Sequence, residues 1–258
     1  MMSTANRVEL PRAHAASERG FLAASALLFV ASTAATIAWC HAMPSMSAMP
    51  MAWMPMCGQT WPTFAVTFIG MWTLMMVQMM LPSLLPVLWR YRVALRAAGA
   101  PNIDVPTALA GAAYFAVWAA VGVVVFALGA VLAALEMTWP VLARGVTAAG
   151  GLIVVAAGAL QFSAWKARQL ARCHMAPTPN GAAWRHGARL GVRCVGSCAG
   201  LTAILLVAGV MDLRVMAAVS ACITLERLAP AGDHIARLVG TVAMGAGLYW
   251  IAEPLLGV

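Results

Sequence analysis

Apolar runs long enough to cross a lipid bilayer recur from end to end of this sequence, and they limit its fold more than any other feature. A helix needs about 20 apolar residues to span roughly 30 Å of hydrocarbon. Runs of that order lie near residues 20–40, 62–89, 106–135, 143–165, 188–210, 213–229 and 234–255. The sixth is short and its joints with its neighbours are tight, so six spans stand as the alternative to seven. With 63% hydrophobic and 9% charged residues, an ordinary soluble domain is excluded. In hydrocarbon each helix satisfies its own backbone. The expected fold is therefore all-α, a polytopic transmembrane helical bundle. Residues 1–19 form a cytoplasmic N-terminal segment, and residues 20–258 form a single membrane domain.

The formal charge of +8 follows that topology rather than a nucleic-acid surface. Arg7, Arg12 and Arg19 precede the first span, and Arg90, Arg92 and Arg96 follow the second. Lys166, Arg168, Arg172, Arg185, Arg189 and Arg193 cluster between the fourth and fifth, while Arg227 and Arg237 flank the turn between the sixth and seventh. Only Arg144 and Arg214 fall in the alternate loops. The positive-inside rule then puts the N-terminus and the basic loop 166–187 in the cytoplasm and the loop 41–61 outside. The first run is too long for a cleaved signal peptide. Trp39 also stands before Cys40 where a lipoprotein peptidase requires a small residue. The run reads as a retained anchor.

The outer loop is crowded with thioethers. His41, Met43, Met46, Met49, Met51, Met54, Met56 and Cys57 repeat M-x-x-M and M-x-M spacings, and Pro44, Pro50 and Pro55 break any helix. A thioether is a soft, uncharged donor that selects soft ions, above all Cu(I). An interfacial loop dipping Met and Trp into headgroups is the alternative. Cys40 and Cys57 could also form a disulfide in an oxidising compartment. In the second span Met71, Met75 and Met79 stack along one helical face, with Met76 and Met80 on an adjoining one. Successive sulfurs about 6 Å apart would pass an ion along weak sites, whereas the plain alternative is flexible Met packing between helices. Pro82 and Pro86 are expected to end this segment and to kink it, freeing carbonyls near its inner end.

A third constellation lies toward the cytoplasmic ends. Cys194 and Cys198 share a face of the fifth span, Cys222 and Glu226 share one of the sixth, and Cys173 and His174 lie in the basic loop. Converging, they would form an inner receiving site. Packed separately, the cysteines are small hydrophobes and Glu226 pairs with Arg227, Arg237 or Arg193. Asp212 and Arg214 read as a turn-stabilising pair. Gly191, Gly196, Gly200, Gly209, Gly240, Gly245 and Gly247 would allow close packing of the fifth and seventh spans.

Four stretches carry a resemblance: M71-W-T-L-M-M-V-Q-M-M-L-P-S83, G191-V-R-C-V-G-S-C198, G209-V-M-D-L-R-V-M216 and L225-E-R-L-A-P-A-G232. Over about residues 60–250 the chain resembles a bacterial family of predicted metal-binding integral membrane proteins, a domain of unknown function. The resemblance implies metal binding and a multi-pass protein of the bacterial inner membrane. The family usually has C-L-x-x-C in the basic inner loop and G-C-C-W in the fifth span. Here Gln169 replaces the first loop cysteine and leaves Cys173. Ser197 replaces the first of the paired cysteines, and Ala199 the tryptophan. These departures shift weight to the methionines and to Cys194 and Cys198.

The expected function is a copper transporter or permease that imports Cu(I) through the Met ladder. The alternative is a non-transporting accessory subunit or delivery factor for assembly of a membrane cuproenzyme. Membrane lipid and a periplasmic or cytoplasmic metal-carrying protein are expected partners, and an oligomer is compatible with the pattern. Nucleotide and nucleic acid are not expected. Hard divalent ions would want carboxylates in the spans, where only Asp212 and Glu226 are candidates. H-E-x-x-H, G-x-S-x-G and paired-histidine haem patterns are absent, and the histidines (14, 41, 174, 186, 234) are scattered. The expectation is no enzyme.

Overall fold

The computed structural model describes residues 4–42, 60–173, 181–210 and 212–256, with side chains described within 16–41, 60–139, 148–171, 181–210 and 212–253. Among them the regular elements are all α-helices: α1 Thr4–Ala42, α2 Trp61–Ala97, α3 Asp104–Thr138, α4 Pro140–Leu160, α5 Ala164–Cys173, α6 Ala183–Ala208, α7 Leu213–Leu228 and α8 Gly232–Leu256. Five helices are long and apolar enough to cross a membrane, or six if bent α4 and α5 count as one span. The sixth expected run, 213–229, is α7, whose 16 residues rise only about 24 Å. Helix α1 runs through both the N-terminal segment and the first apolar run.

Several local expectations are corrected. The run 143–165 is broken at residues 161–163, where α4 and α5 meet at 61°. The ladder tightens there to i→i−3 bonds from Gln161, Phe162 and Ser163, and the Ser163 hydroxyl then accepts from the Lys166 amide at 3.1 Å. Pro82 and Pro86 do not end α2, which runs on to Ala97. Serine hydroxyls sit on carbonyls along this stretch, Ser83 on Met80 at 3.0 Å and Ser220 on Met79 at 3.4 Å. Asp212 does not pair with the Arg214 guanidinium. It caps α7, accepting from the Arg214 and Val215 amides at 2.7 and 3.3 Å. Gly209 makes the preceding turn with φ +120°, a region that disfavours other residues.

The cross-helix contacts fix the directions of the helices. Arg92 meets Ser17 and Asp104, so α2 is antiparallel to both α1 and α3. Met80 meets Cys194 and Tyr91 stacks on His186, so α6 also runs against α2. Arg227 reaches Ser83 while Ser220 reaches Met79, so α7 runs with α2. The arginine-bearing ends of α1, α2 and α6 therefore gather at one end of the bundle, the basic end.

The close glycine contacts of α6 and α8 are made with α3 and α4 rather than with each other. Gly187 lies on the Ala110 backbone, and Gly191 would place a Cβ 3.1 Å from the Tyr114 carbonyl oxygen. On the other side Gly240 meets Gly158 and Gly247 meets Gly151, each with a carbonyl 2.8 Å from where a Cβ would stand. The core centres on α2. Trp72, Met75, Met76, Met79 and Met80 are fully enclosed, with Tyr114, Trp118, Cys194 and Ile223 around them.

Candidate metal centre

The α3–α6 contact decides what α6 shows to α2. With no Cβ at Gly187 and Gly191, the two backbones touch, and Cys194 arrives one turn later beside Tyr114. The Tyr114 hydroxyl donates to Cys194 Sγ at 2.8 Å. Cys198, one further turn along, lies with its sulfur 3.8 Å from that of Cys194. From α2, Met80 Sδ approaches Cys194 Sγ at 3.9 Å. All three side chains are buried.

Cys194 thus has a thiol on one side and a thioether on the other, each at the spacing one soft ion would need. A metal about 2.3 Å from each of three sulfurs in a trigonal array holds them about 4 Å apart. Among the described residues no three His, Cys, Asp or Glu side chains form a ligand set. The cluster exists only because a methionine completes it.

Charge reaches the same point from α7. Arg227 Nη1 donates to Cys194 Sγ at 3.0 Å and to Ser83 Oγ at 3.0 Å. A guanidinium is permanently charged, and a buried charge needs a counter-charge. Cys194 would offer one as a thiolate, the form that ligates metals. Arg227 was expected to flank a turn and is instead turned into the core. Ser197 Oγ lies 3.6 Å from Cys198 Sγ, so a hydroxyl borders the cluster.

Behind the cysteines lies a second buried network. Lys166 Nζ is 2.6 Å from Glu226 Oε2 and donates to the Ser197 carbonyl at 2.5 Å, while Gln161 Nε2 donates to Glu226 Oε1 at 3.0 Å. Glu226 therefore pairs with Lys166, not with Arg227, Arg237 or Arg193. The break at residues 161–163 makes this possible by folding α5 back so that Lys166 faces inward. Cys194, Cys198 and Glu226 do belong to adjoining networks, whereas half-buried Cys222 contributes none of these bonds.

The remaining candidates are distributed differently. Met71, Met75 and Met79 are buried in the core along α2, and so are Met76 and Met80 on the adjoining face. Exposure does not separate the two faces; Met80, from the less favoured one, meets the cysteines. His41 is exposed on the last turn of α1. Met43, Met46, Met49, Met51, Met54, Met56, Cys57 and His174 lie outside the described residues, and of Cys173 only the helical backbone is described. Sequence reasoning placed Met80 only on the adjoining face of the ladder and Lys166 only in the basic cluster, and it missed Tyr114 and Ser83.

A family model described as PpoB2, copper chaperone, matches residues 69–250. That stretch contains Met80, Tyr114, Lys166, Cys194, Cys198, Glu226 and Arg227, and excludes the Met-rich loop. No curated protein and no solved structure matches the chain.

Proposed function

Since the chain belongs to the PpoB2 copper chaperone family, we propose that it is a membrane-embedded protein that holds Cu(I) on Met80, Cys194 and Cys198 and hands it to a copper protein. The carrying observation is the three-sulfur cluster, with sulfur spacings of 3.8 and 3.9 Å. Soft sulfur donors select Cu(I) over hard ions. Tyr114 and Arg227 orient the ligating sulfur of Cys194 from outside the ligand set, as outer partners do in metal sites. Arg227 offsets the negative charge that two thiolates and one Cu(I) leave over. The cargo is transferred unchanged, so the role is binding and delivery rather than catalysis.

Insertion in the bacterial inner membrane is part of the reading. The long apolar helices support it, and the gathering of arginines at one end agrees with an inner face there. The Met-rich segment 43–59 would then face outward as a capture loop. A permease reading keeps one supporting observation, the line of buried Met71, Met75 and Met79 on the helix that carries Met80.

The test is anaerobic Cu(I) titration of the purified chain against a chromogenic Cu(I) chelator, with X-ray absorption to identify the ligands. One tightly held Cu(I) with an all-sulfur shell, lost in Cys194→Ser/Cys198→Ser and weakened in Met80→Leu, is the expected result. Unchanged binding in the double serine variant would refute the cluster. Cell copper in a Met71/Met75/Met79→Leu variant separates the roles. A chaperone tolerates the change, and a conduit through α2 loses copper uptake.

A further inference from the structure

Away from the sulfur cluster, a cavity of about 550 Å³ lies between α1, α2 and α3. Its long part is apolar, bounded by Leu28, Leu81, Leu88 and Phe115, and its end at the basic pole is lined by Ser17, Arg92 and Asp104. From Ser17 to Leu28, helix α1 rises about 16 Å, roughly half of a hydrocarbon core about 30 Å thick. The slot is therefore one leaflet deep, apolar inside and charged at the level of the headgroups. The outward faces of its walls carry exposed Leu22, Leu27, Val105 and Leu109, so its surroundings are hydrocarbon in the membrane-inserted protein.

The charged end has donors to spare. Arg92 is only 3% exposed. Its Nη2 serves Ser17 Oγ at 2.7 Å, the Ser17 carbonyl at 3.2 Å and Asp104 Oδ1 at 2.7 Å, and its guanidinium lies 4.7 Å from the centre of the Phe21 ring. Its Nε has no partner among the described residues. One turn further on, just beyond the residues that line the cavity, Arg96 Nη1 is held by Glu18 at 2.6 Å, while its Nε and Nη2 are buried and without a partner among the described residues. Buried N–H groups without acceptors are costly, and guanidinium forks match phosphate oxygens. Exposed Arg19 and Arg90 leave this end net positive beyond its Glu18 and Asp104. An anion with a long apolar tail answers both halves of the cavity at once.

We infer that the α1–α2–α3 slot binds one anionic phospholipid of the inner leaflet, its acyl chain along Leu81 and Leu88 and its phosphodiester at Arg92, with Arg96 adding positive charge one turn beyond the slot. The lipid fastens α1 to the bundle, since the slot is the gap that α1 leaves against α3. This rests on the membrane-insertion part of the proposed function and not on copper.

The full chain is first tested for retention in membranes after alkaline extraction, then purified in mild detergent for native mass spectrometry. The probes are palmitoyl-oleoyl phosphatidylglycerol and the matched phosphatidylcholine. The native chain is expected to keep one phosphatidylglycerol with a preference of about tenfold or more. Arg92→Gln/Arg96→Gln should reduce that preference to near unity. Gly20→Leu/Gly111→Leu should lose both lipids. Both glycines line the slot; a Cβ at Gly20 meets nothing within 4 Å, and one at Gly111 only Leu88 at 3.7 Å, so the backbone there has room for a side chain.

Equal retention of the two lipids by the native chain would overturn the inference. So would unchanged phosphatidylglycerol in the filled variant, or its displacement by millimolar inorganic phosphate, which would mark a free-anion site. A chain extracted from membranes by alkali fails the insertion reading and takes the lipid with it. A membrane-retained chain without the preference fails only here.

Discussion

Replacing Lys166 by methionine should destabilise the protein far more than replacing Lys166 and Glu226 together. The Lys166 and Glu226 side chains are 4% and 2% exposed, and their charged atoms are 2.6 Å apart, so water screens the pair little. Removing the ammonium alone leaves a buried carboxylate held by one neutral donor, Gln161 Nε2 at 3.0 Å. Breaking a buried pair from one side costs about 3–5 kcal/mol, a large part of the 5–15 kcal/mol that holds a typical domain. At about 2–4 °C per kcal/mol for a chain of this size, the melting temperature should fall by about 10 °C. Methionine nearly matches lysine in length, so lost volume contributes little. In Lys166→Met/Glu226→Leu no charge is stranded, and stability should return to within about 1–2 kcal/mol of native. Thermal melts of the four proteins of this double-mutant cycle, in one detergent, give the coupling directly. A single variant within 1 kcal/mol of native, or a double variant as unstable as the single, would refute the buried-pair reasoning. The Ser197 carbonyl also loses its donor in both variants, so a shared loss of Cu(I) affinity would locate that effect at Ser197 rather than at Glu226.

Three further outcomes follow from the geometry. Tyr114→Phe removes one donor to Cys194 and leaves the ring, so chelator competition should show Cu(I) binding weakened by about 10–100-fold, the scale of a lost outer-shell partner, with little change in melting. Gly187→Ala drives a methyl into the Ala110 backbone and should cost about 1–3 kcal/mol, whereas Gly245→Ala, whose Cβ meets nothing within 4 Å, should be neutral or stabilising by up to about 1 kcal/mol; melts of the pair decide it. Asp212→Ala strips the cap of α7 and should lower stability by about 1 kcal/mol, while Arg214→Ala, which leaves the backbone amide in place, should not.

Most of the helices were legible from apolar run length, because a helix is closed by bonds four residues apart and its composition reports the surroundings. Where that reading failed, short-range chemistry had local alternatives. The run 143–165 gave no apolar sign of the break at residues 161–163, because Ser163 ends one helix and starts the next by its hydroxyl. Pro82 and Pro86 looked like terminators, yet α2 continues, with Ser83 and Ser220 hydroxyls on the carbonyls near them. The cysteines and Glu226 were recognisable as candidates by type. Their partners were not, since Met80 and Cys194 are 114 residues apart and Lys166 and Glu226 are 60.

The sequence by itself determined an all-helical chain, the alternation that carries its arginines to one end, and a supply of soft sulfur donors. It did not determine which methionine meets the cysteines. The spacing of α2 offers two buried faces of equal character, and periodicity cannot say how far a helix is rotated about its axis. That rotation was settled by docking. Gly187 and Gly191 let α6 touch α3, which turns Cys194 and Cys198 toward Met80 rather than toward Met71, Met75 or Met79. The bend after Leu160 likewise brings Lys166 to Glu226. These are contacts between elements distant in the chain, fixed by which backbones can approach most closely, and only the tertiary structure contains that information.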